Sequence, residues 1–328
     1  MSRPAALALC WFGKVRSRGD FVRSTHQGVL TQLLDQWLSQ GLERLAEDAR
    51  WKQLYDRMPS AHFAVLGTRG RLALAGHLMP SMDASGRRFP FVTLASLDTG
   101  GPAFVAQAPL ALSRPWQRLG TIASRACAAE DVAKVLDDAA RTPVEFEDPL
   151  DTWATARHDF LATQTLGSLQ GLLRRSHPAF DLRRALLALG LLLQPVPASG
   201  VSRLDKGLRL PLPEPGPLAD AVGALWLELI TPFLARGNFE LVLLVPRAQP
   251  PAAASLVVGF AGPSPTLLQA LFDPGRSADA FIELQAPQWI DAHPEMDGAM
   301  RKLNVYLHQD ALSLQLAVAS FKACFHGA

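Results

Sequence analysis

Apolar and polar positions change period several times along the chain. Residues 4–12 are almost uninterrupted apolar positions closed by Gly13, the pattern of a buried strand. Ser24-Thr25-His26-Gln27 then has the form of a capping box. Behind it Leu30, Leu33, Leu34, Trp37, Leu38, Leu42 and Leu45 recur at three- and four-residue spacing, which makes one face of a helix. A shorter helical stretch closes at Met58-Pro59. His62–Leu66 and Leu72–Leu78 read as strands, with Thr68-Arg69-Gly70 as a hairpin turn between them. A polar loop covers 79–88, Phe89–Leu97 is extended, and helical patterns follow at about 102–112, 114–127 and 129–140.

Thr142–Pro149 combines two prolines with three acids and reads as loop, which places a linker at 142–152. The chain then divides into a first domain, 1–141, and a second α/β domain, 153–328. In the second, helices are expected at about 150–174 and 179–192. The stretch 194–217 holds six prolines and three glycines and reads as a long loop carrying a short strand at Leu208–Leu210. Pro217–Leu229 is a helix that Pro232 ends. Strands are expected at Phe239–Val245, Ser255–Phe260 and Ile282–Leu284, and helices at Leu267–Phe272 and Asp310–Phe321. Short hairpin-joined strands interrupted by helices lack the regular βαβ alternation of a doubly wound sheet. They predict an α+β fold with a mixed, mostly antiparallel sheet flanked by helices.

Composition narrows the function. The 328 residues are 48% hydrophobic and 19% charged, enough for a globular protein with a sizeable core. Net charge is +2; residues 1–150 hold 18 basic against 15 acidic residues and 151–328 hold 14 against 15. Neither half is polybasic, so charge makes no case for nucleic acid or an anionic membrane. Cys10, Cys127 and Cys324 are odd in number and widely spaced, which suits reduced thiols in a cytoplasmic protein. Ala5–Phe12 is too short for a signal peptide and lacks a small-residue cleavage site. Ala185–Leu193 is about half of a bilayer span, so no membrane insertion is expected.

Catalytic patterns are missing from the sequence. It has no G-x-S-x-G elbow, no Walker A sequence and no dinucleotide-binding glycine fingerprint. No two of the eight histidines stand four apart, so neither a metal nor another cofactor is expected. Glu145, Glu147 and Asp148 cluster in a proline-flanked stretch that offers no desolvated carboxylate for acid–base work. No catalytic residue and no small-molecule substrate are expected.

Two segments stand out. In Trp11-Phe12-Gly13-Lys14, followed by Ser17-Arg18-Gly19-Asp20-Phe21, two aromatics leave a strand and Gly13 permits a sharp change of direction. Arg18 and Asp20 could pair across the turn at Gly19. In Met79–Phe91, Asp83-Ala84-Ser85-Gly86 is good turn chemistry and Pro90 biases Phe89 towards extended backbone. Arg87 and Arg88 alternate in direction on a strand, so one could face solvent while the other pairs with Asp83 or Asp20. Exposed neighbouring arginines could hold a carboxylate or a phosphorylated segment. Each segment also admits a purely structural role.

Together these segments resemble the TagF (ImpM) family of type VI secretion proteins. The resemblance rests on Trp11–Lys14 and Ser17–Phe21, Trp37, Pro80-Ser81, Asp83 and Gly86-Arg87-Arg88-Phe89-Pro90. It covers roughly residues 8–100; Cys10 and Val15-Arg16 depart from the pattern. It implies a longin- or profilin-like first domain. It also implies a post-translational repressor of type VI secretion that binds a forkhead-associated (Fha) scaffold protein. Trp11, Lys14, Arg18, Asp20, Asp83, Arg87 and Arg88 are the partner-binding candidates. The alternatives are an enzyme acting on a phosphorylated ligand through Asp20, Asp83, Arg87 and Arg88, or an adaptor that binds through its second half.

Overall fold

The computed structural model describes residues 5–25, 27–142, 144–146, 150–249, 252–273, 277–292 and 297–327. The first apolar run splits in two: β1 (Ala5–Leu7) and β2 (Leu9–Gly13). Then come β3 (Val22–Arg23), α1 (Gly28–Ala46), α2 (Trp51–Asp56), β4 (Ala61–Gly67), β5 (Leu72–Met79) and β6 (Phe91–Asp98). Next are α3 (Gly101–Ala128), α4 (Val132–Arg141), β7 (Val144–Phe146), α5 (Leu150–Thr163), α6 (Leu166–Arg174), α7 (Leu182–Leu193) and α8 (Val196–Ser199). The chain continues with β8 (Gly207–Pro211), α9 (Pro217–Leu234), β9 (Glu240–Pro246), β10 (Ser255–Gly259), α10 (Pro265–Phe272) and α11 (Ser277–Ala280). It closes with β11 (Phe281–Glu283), α12 (Gly298–Tyr306) and α13 (Leu314–His326).

The main sheet has the order β11-β8-β10-β9-β4-β5-β6-β2-β3, and every neighbouring pair is antiparallel except β11 with β8. This is the mostly antiparallel α+β fold expected from the pattern. Side-chain alternation feeds both faces. Ala64, Leu66, Ala73, Ala75, Leu241 and Leu243 point to one core, with α3 and α9. Phe63, Val65, Leu78, Val242 and Leu244 point to the other, with Trp37, Leu38 and Leu45 of α1 and Leu267, Leu268 and Phe272 of α10. Strands covered on both faces need near-continuous apolar runs, as the sequence has. The alanines let α3 approach the sheet closely. Gly76 does the same on the opposite face, because a Cβ there would collide with the Phe63 ring. Between β4 and β5, His62 and His77 share one hydrogen bond, Nδ1 to Nδ1 at 3.0 Å. Burial pulls them to about 4 and about 3, so both rings are neutral at neutral pH.

Several elements differ from the sequence expectation. α3 is one helix where two were expected, running through Pro109 and Pro115. Its apolar face is unbroken from Phe104 to Ala126, and that burial outweighs the two missing backbone donors. The 150–174 stretch is two helices, because Thr165 caps α6: its hydroxyl accepts from Ser168 N, and Ser168 Oγ accepts from Thr165 N. Ser24 caps nothing. The β2–β3 pairing continues past Arg23, so Ser24 N donates to Trp11 O at 2.9 Å, and α1 begins four residues later with Gln27 as N-cap; His26 lies outside the described residues. The start of the expected linker is β7, which pairs with β1 over Ala5–Leu7; Glu145 is exposed there, and Glu147 and Asp148 lie outside the described residues.

The expected segments 1–141 and 153–328 meet inside the sheet. β9 lies antiparallel to β4 from Ala61↔Pro246 to Gly67↔Glu240. α9 packs along α3, and Trp37 Nε1 donates to Ser264 O at 3.0 Å. Among the described residues one helix, Pro217–Leu234, is long and apolar enough to cross a membrane, and 72% of its apolar window is buried within the protein.

Candidate functional site

The two marked segments leave the sheet at the same end. Gly13 at the end of β2 pairs with Phe91 at the start of β6, and the 80–90 loop follows β5, the other neighbour of β6. Gly13 has φ +139°, and a Cβ there would fall on the Pro90 carbonyl oxygen. Only glycine lets the two loops approach so closely. Gly13→Ala is expected to cost about 2–4 kcal/mol, read from urea unfolding, because it adds backbone strain and a steric clash together.

Asp83 organises the 80–90 loop. Gly86 N donates to Asp83 O at 3.0 Å, closing the turn, and Asp83 N donates to Arg87 O at 3.1 Å. The Asp83 side chain is fully buried. Its Oδ1 accepts from Ser85 N (3.0 Å), Ser85 Oγ (2.7 Å) and Arg87 N (2.9 Å). Its Oδ2 accepts from Lys14 Nζ at 3.0 Å and Arg87 Nε at 2.6 Å. Burial alone raises this carboxyl. The hydrogen bonds from Ser85, Arg87 and Lys14 together outweigh it and hold the group well below the usual carboxylate range. A carboxylate so engaged has no lone pair left for acid–base work.

The same residues join the two loops. Besides the Lys14–Asp83 pair, Ala84 N donates to Arg18 O at 2.8 Å and Arg87 Nη2 to Gly19 O at 2.6 Å. Phe12 stacks on Phe21 at 5.3 Å, and Phe89 packs edge-on against both. Lys14 Nζ lies 5.0 Å from the Phe21 ring, so this buried ammonium has one carboxylate and one aromatic face. These contacts pack the two loops into one unit.

The candidates therefore separate. Lys14 and Asp83 are buried and hold the loops together. Trp11 is partly buried against the cluster of Val15, Phe91 and Ile122. Arg18 and Asp20 are exposed and form no pair with each other; Asp20 Oδ1 accepts from Phe21 N at 2.7 Å. Arg87 spans both groups, since it is bonded to Asp83 while its side chain is 62% exposed. Neither adjacent arginine is free to face solvent alone. Arg88 makes a two-pronged pair with Asp56, Nε–Oδ1 at 2.8 Å and Nη2–Oδ2 at 2.7 Å, over the Trp51 ring. Asp56, at the end of α2, carries no sequence signal for this role; the Arg88 hydrogen bonds hold its carboxyl low.

A groove of about 780 Å³ runs beside these loops, lined among others by Arg16, Ser17, Asp56, Met82, Cys127 and Glu130. Tyr55 fixes its floor: its hydroxyl donates to Ser81 O at 2.8 Å and accepts from Ser81 N at 3.0 Å. Cys127 Sγ lies 3.7 Å from Ser81 Oγ, and burial pushes the thiol up, away from a reactive thiolate. Among the described residues no group of three metal-ligating side chains converges anywhere.

Fold and site define an α+β protein that presents a packed, loop-built surface beside an open groove. Residues 10–161 match the model of the TagF N-terminal domain family, described as Type VI secretion system-associated. The crystal structure of PA0076 from Pseudomonas aeruginosa PAO1 is similar to it, at 17% identity and a TM-score of 0.47, over 80% of this chain and 93% of that one. No curated protein matches the chain.

Proposed function

We propose that this protein is a cytoplasmic, post-translational repressor of a type VI secretion system that acts by binding, with a forkhead-associated scaffold protein as its partner. The family match of residues 10–161 supports a role in that system. The observation that carries the binding mode is the buried Lys14–Asp83–Arg87 link. It commits Asp83 and the inner edge of Arg87 to holding the loops together and leaves a pre-ordered surface. A rigid surface loses little conformational entropy when it docks. The exposed part of that surface is basic at Arg16, Arg18 and the outer edge of Arg87, with Asp20 among them.

The test separates surface from scaffold. Arg16→Glu with Arg18→Glu is expected to leave the Tm within about 2 °C, since exposed substitutions away from special contacts change stability little. The same double variant is expected to weaken capture of the scaffold protein at least about tenfold and to release secretion in the native bacterium. Unchanged capture together with unchanged secretion would count against this surface.

A further inference from the structure

A second concavity, of about 590 Å³, opens between α3, the start of α9 and the ends of β4 and β9. Its walls are largely apolar and aromatic, with Trp116, Trp153, Pro109, Leu212 and Pro215 among them. His62 stacks on Trp116 with ring centroids 5.7 Å apart and planes 19° from parallel. Trp116 is itself fixed, because its Nε1 donates to Phe63 O at 2.7 Å. One wall is thus a flat, rigid platform.

Asp220, in the first turn of α9, lines the same cavity. Its Oδ2 accepts from the Ser113 hydroxyl at 2.6 Å. Among the described residues it enters no ion pair, and its other carboxylate oxygen accepts no hydrogen bond. The cavity's basic groups leave that charge uncompensated. His62 is neutral because burial pulls it to about 4, and its Nδ1 is engaged with His77. Arg114 also lines the cavity and is engaged in an interaction of its own. Gln117, also on α3, is uncharged. Burial pushes the Asp220 carboxyl up to about 6 against the lowering effect of the Ser113 hydrogen bond, so at neutral pH it is ionised but poorly solvated.

We infer that this cavity binds a small organic cation, an amine with an aromatic or branched apolar body, its ammonium on Asp220 and its body against the Trp116–His62 platform. An under-solvated carboxylate gains more from a counter-ion here than in water. Aromatic rings accept both the apolar body and the edge of the cation. A cavity of this size with few, convergent polar groups is the usual form of a small-molecule site.

The test uses phenethylamine, 2-phenylethanol and 3-phenylpropionate, titrated into the full chain and followed by tryptophan fluorescence and calorimetry. Phenethylamine is expected to bind saturably at millimolar concentration or below, and the alcohol and the acid at least about tenfold more weakly. Asp220→Asn is expected to abolish that preference. A proton competes with the amine for Asp220, so the wild-type affinity should fall about tenfold between pH 7 and pH 5. The pH series needs no variant and stands even where Asp220→Asn folds poorly. Equal binding of all three compounds, no saturable binding of phenethylamine, or an affinity unchanged across that pH range would each overturn the inference.

Discussion

Replacing Asp83 by alanine is expected to lower the Tm by about 5–10 °C and to disorder both motif loops. The cause is not the loss of one contact. Among the described residues Asp83 is the sole carboxylate bonded to buried Lys14, and its two oxygens accept five hydrogen bonds from Lys14, Ser85 and Arg87. Without it an ammonium remains buried with no counter-charge, and the backbone donor of Arg87 loses its acceptor. Arg88→Ala is expected to cost much less, because its partner Asp56 is nearly half exposed and water replaces the pair. The comparison by calorimetry checks the ranking. The pH dependence has a fixed sign. Asp83 is held below its unfolded value, so its contribution is complete above about pH 4 and is lost as pH falls towards the folded value. The stability gap between wild type and Asp83→Asn should therefore narrow in acid. A gap that widens as the pH is lowered would contradict the account.

Residues 1–150 alone are expected to aggregate or to remain partly folded. The cut removes β9 and leaves β4, an interior strand, as a long apolar edge from Ala61 to Gly67. It also strips α9 from α3 and α10 from α1. Phe63, Val65 and Leu66 are nearly or fully buried in the whole chain. Each would lose the part of its burial that the second segment supplies, out of about 1.5–3 kcal/mol for a fully buried side chain. Size-exclusion chromatography and near-ultraviolet circular dichroism decide the matter. A monomeric fragment with sharp tertiary signals would show that the first segment folds without the second.

That prediction marks where sequence reading reached its limit. The amphipathic α1, the β4–β5 hairpin and the turn from Asp83 to Gly86 were all legible, because each depends on neighbours in the chain. The β4–β9 pairing was not, since Leu241–Val245 reads the same whether its partner is near or far in sequence. Within the expected linker at 142–152, Val144–Phe146 is a strand for the same reason: it looks like loop until β1 supplies its partner. Prolines act locally as breakers and predict two helices over α3, whereas Pro109 and Pro115 sit within one helix buried against both the sheet and α9. At the site, the residue types were visible but the pairing was not. Asp83 was expected beside an arginine, and Arg87 is there; Lys14, 69 positions away, is its second partner. The partner of Arg88 is Asp56 rather than Asp83 or Asp20, and Asp56 carries no motif. Asp220 gave no signal either, since only the fold places a lone carboxylate among tryptophans and prolines.

The most direct test of the binding claim is hydrogen exchange on the full chain, alone and with the forkhead-associated scaffold protein of the same bacterium. In the complex the segments 14–21 and 81–88 are expected to gain protection, with their exposed amides slowed at least about tenfold. No complex, or protection confined to the proline-rich 194–217 stretch while the two loops exchange as before, would contradict it.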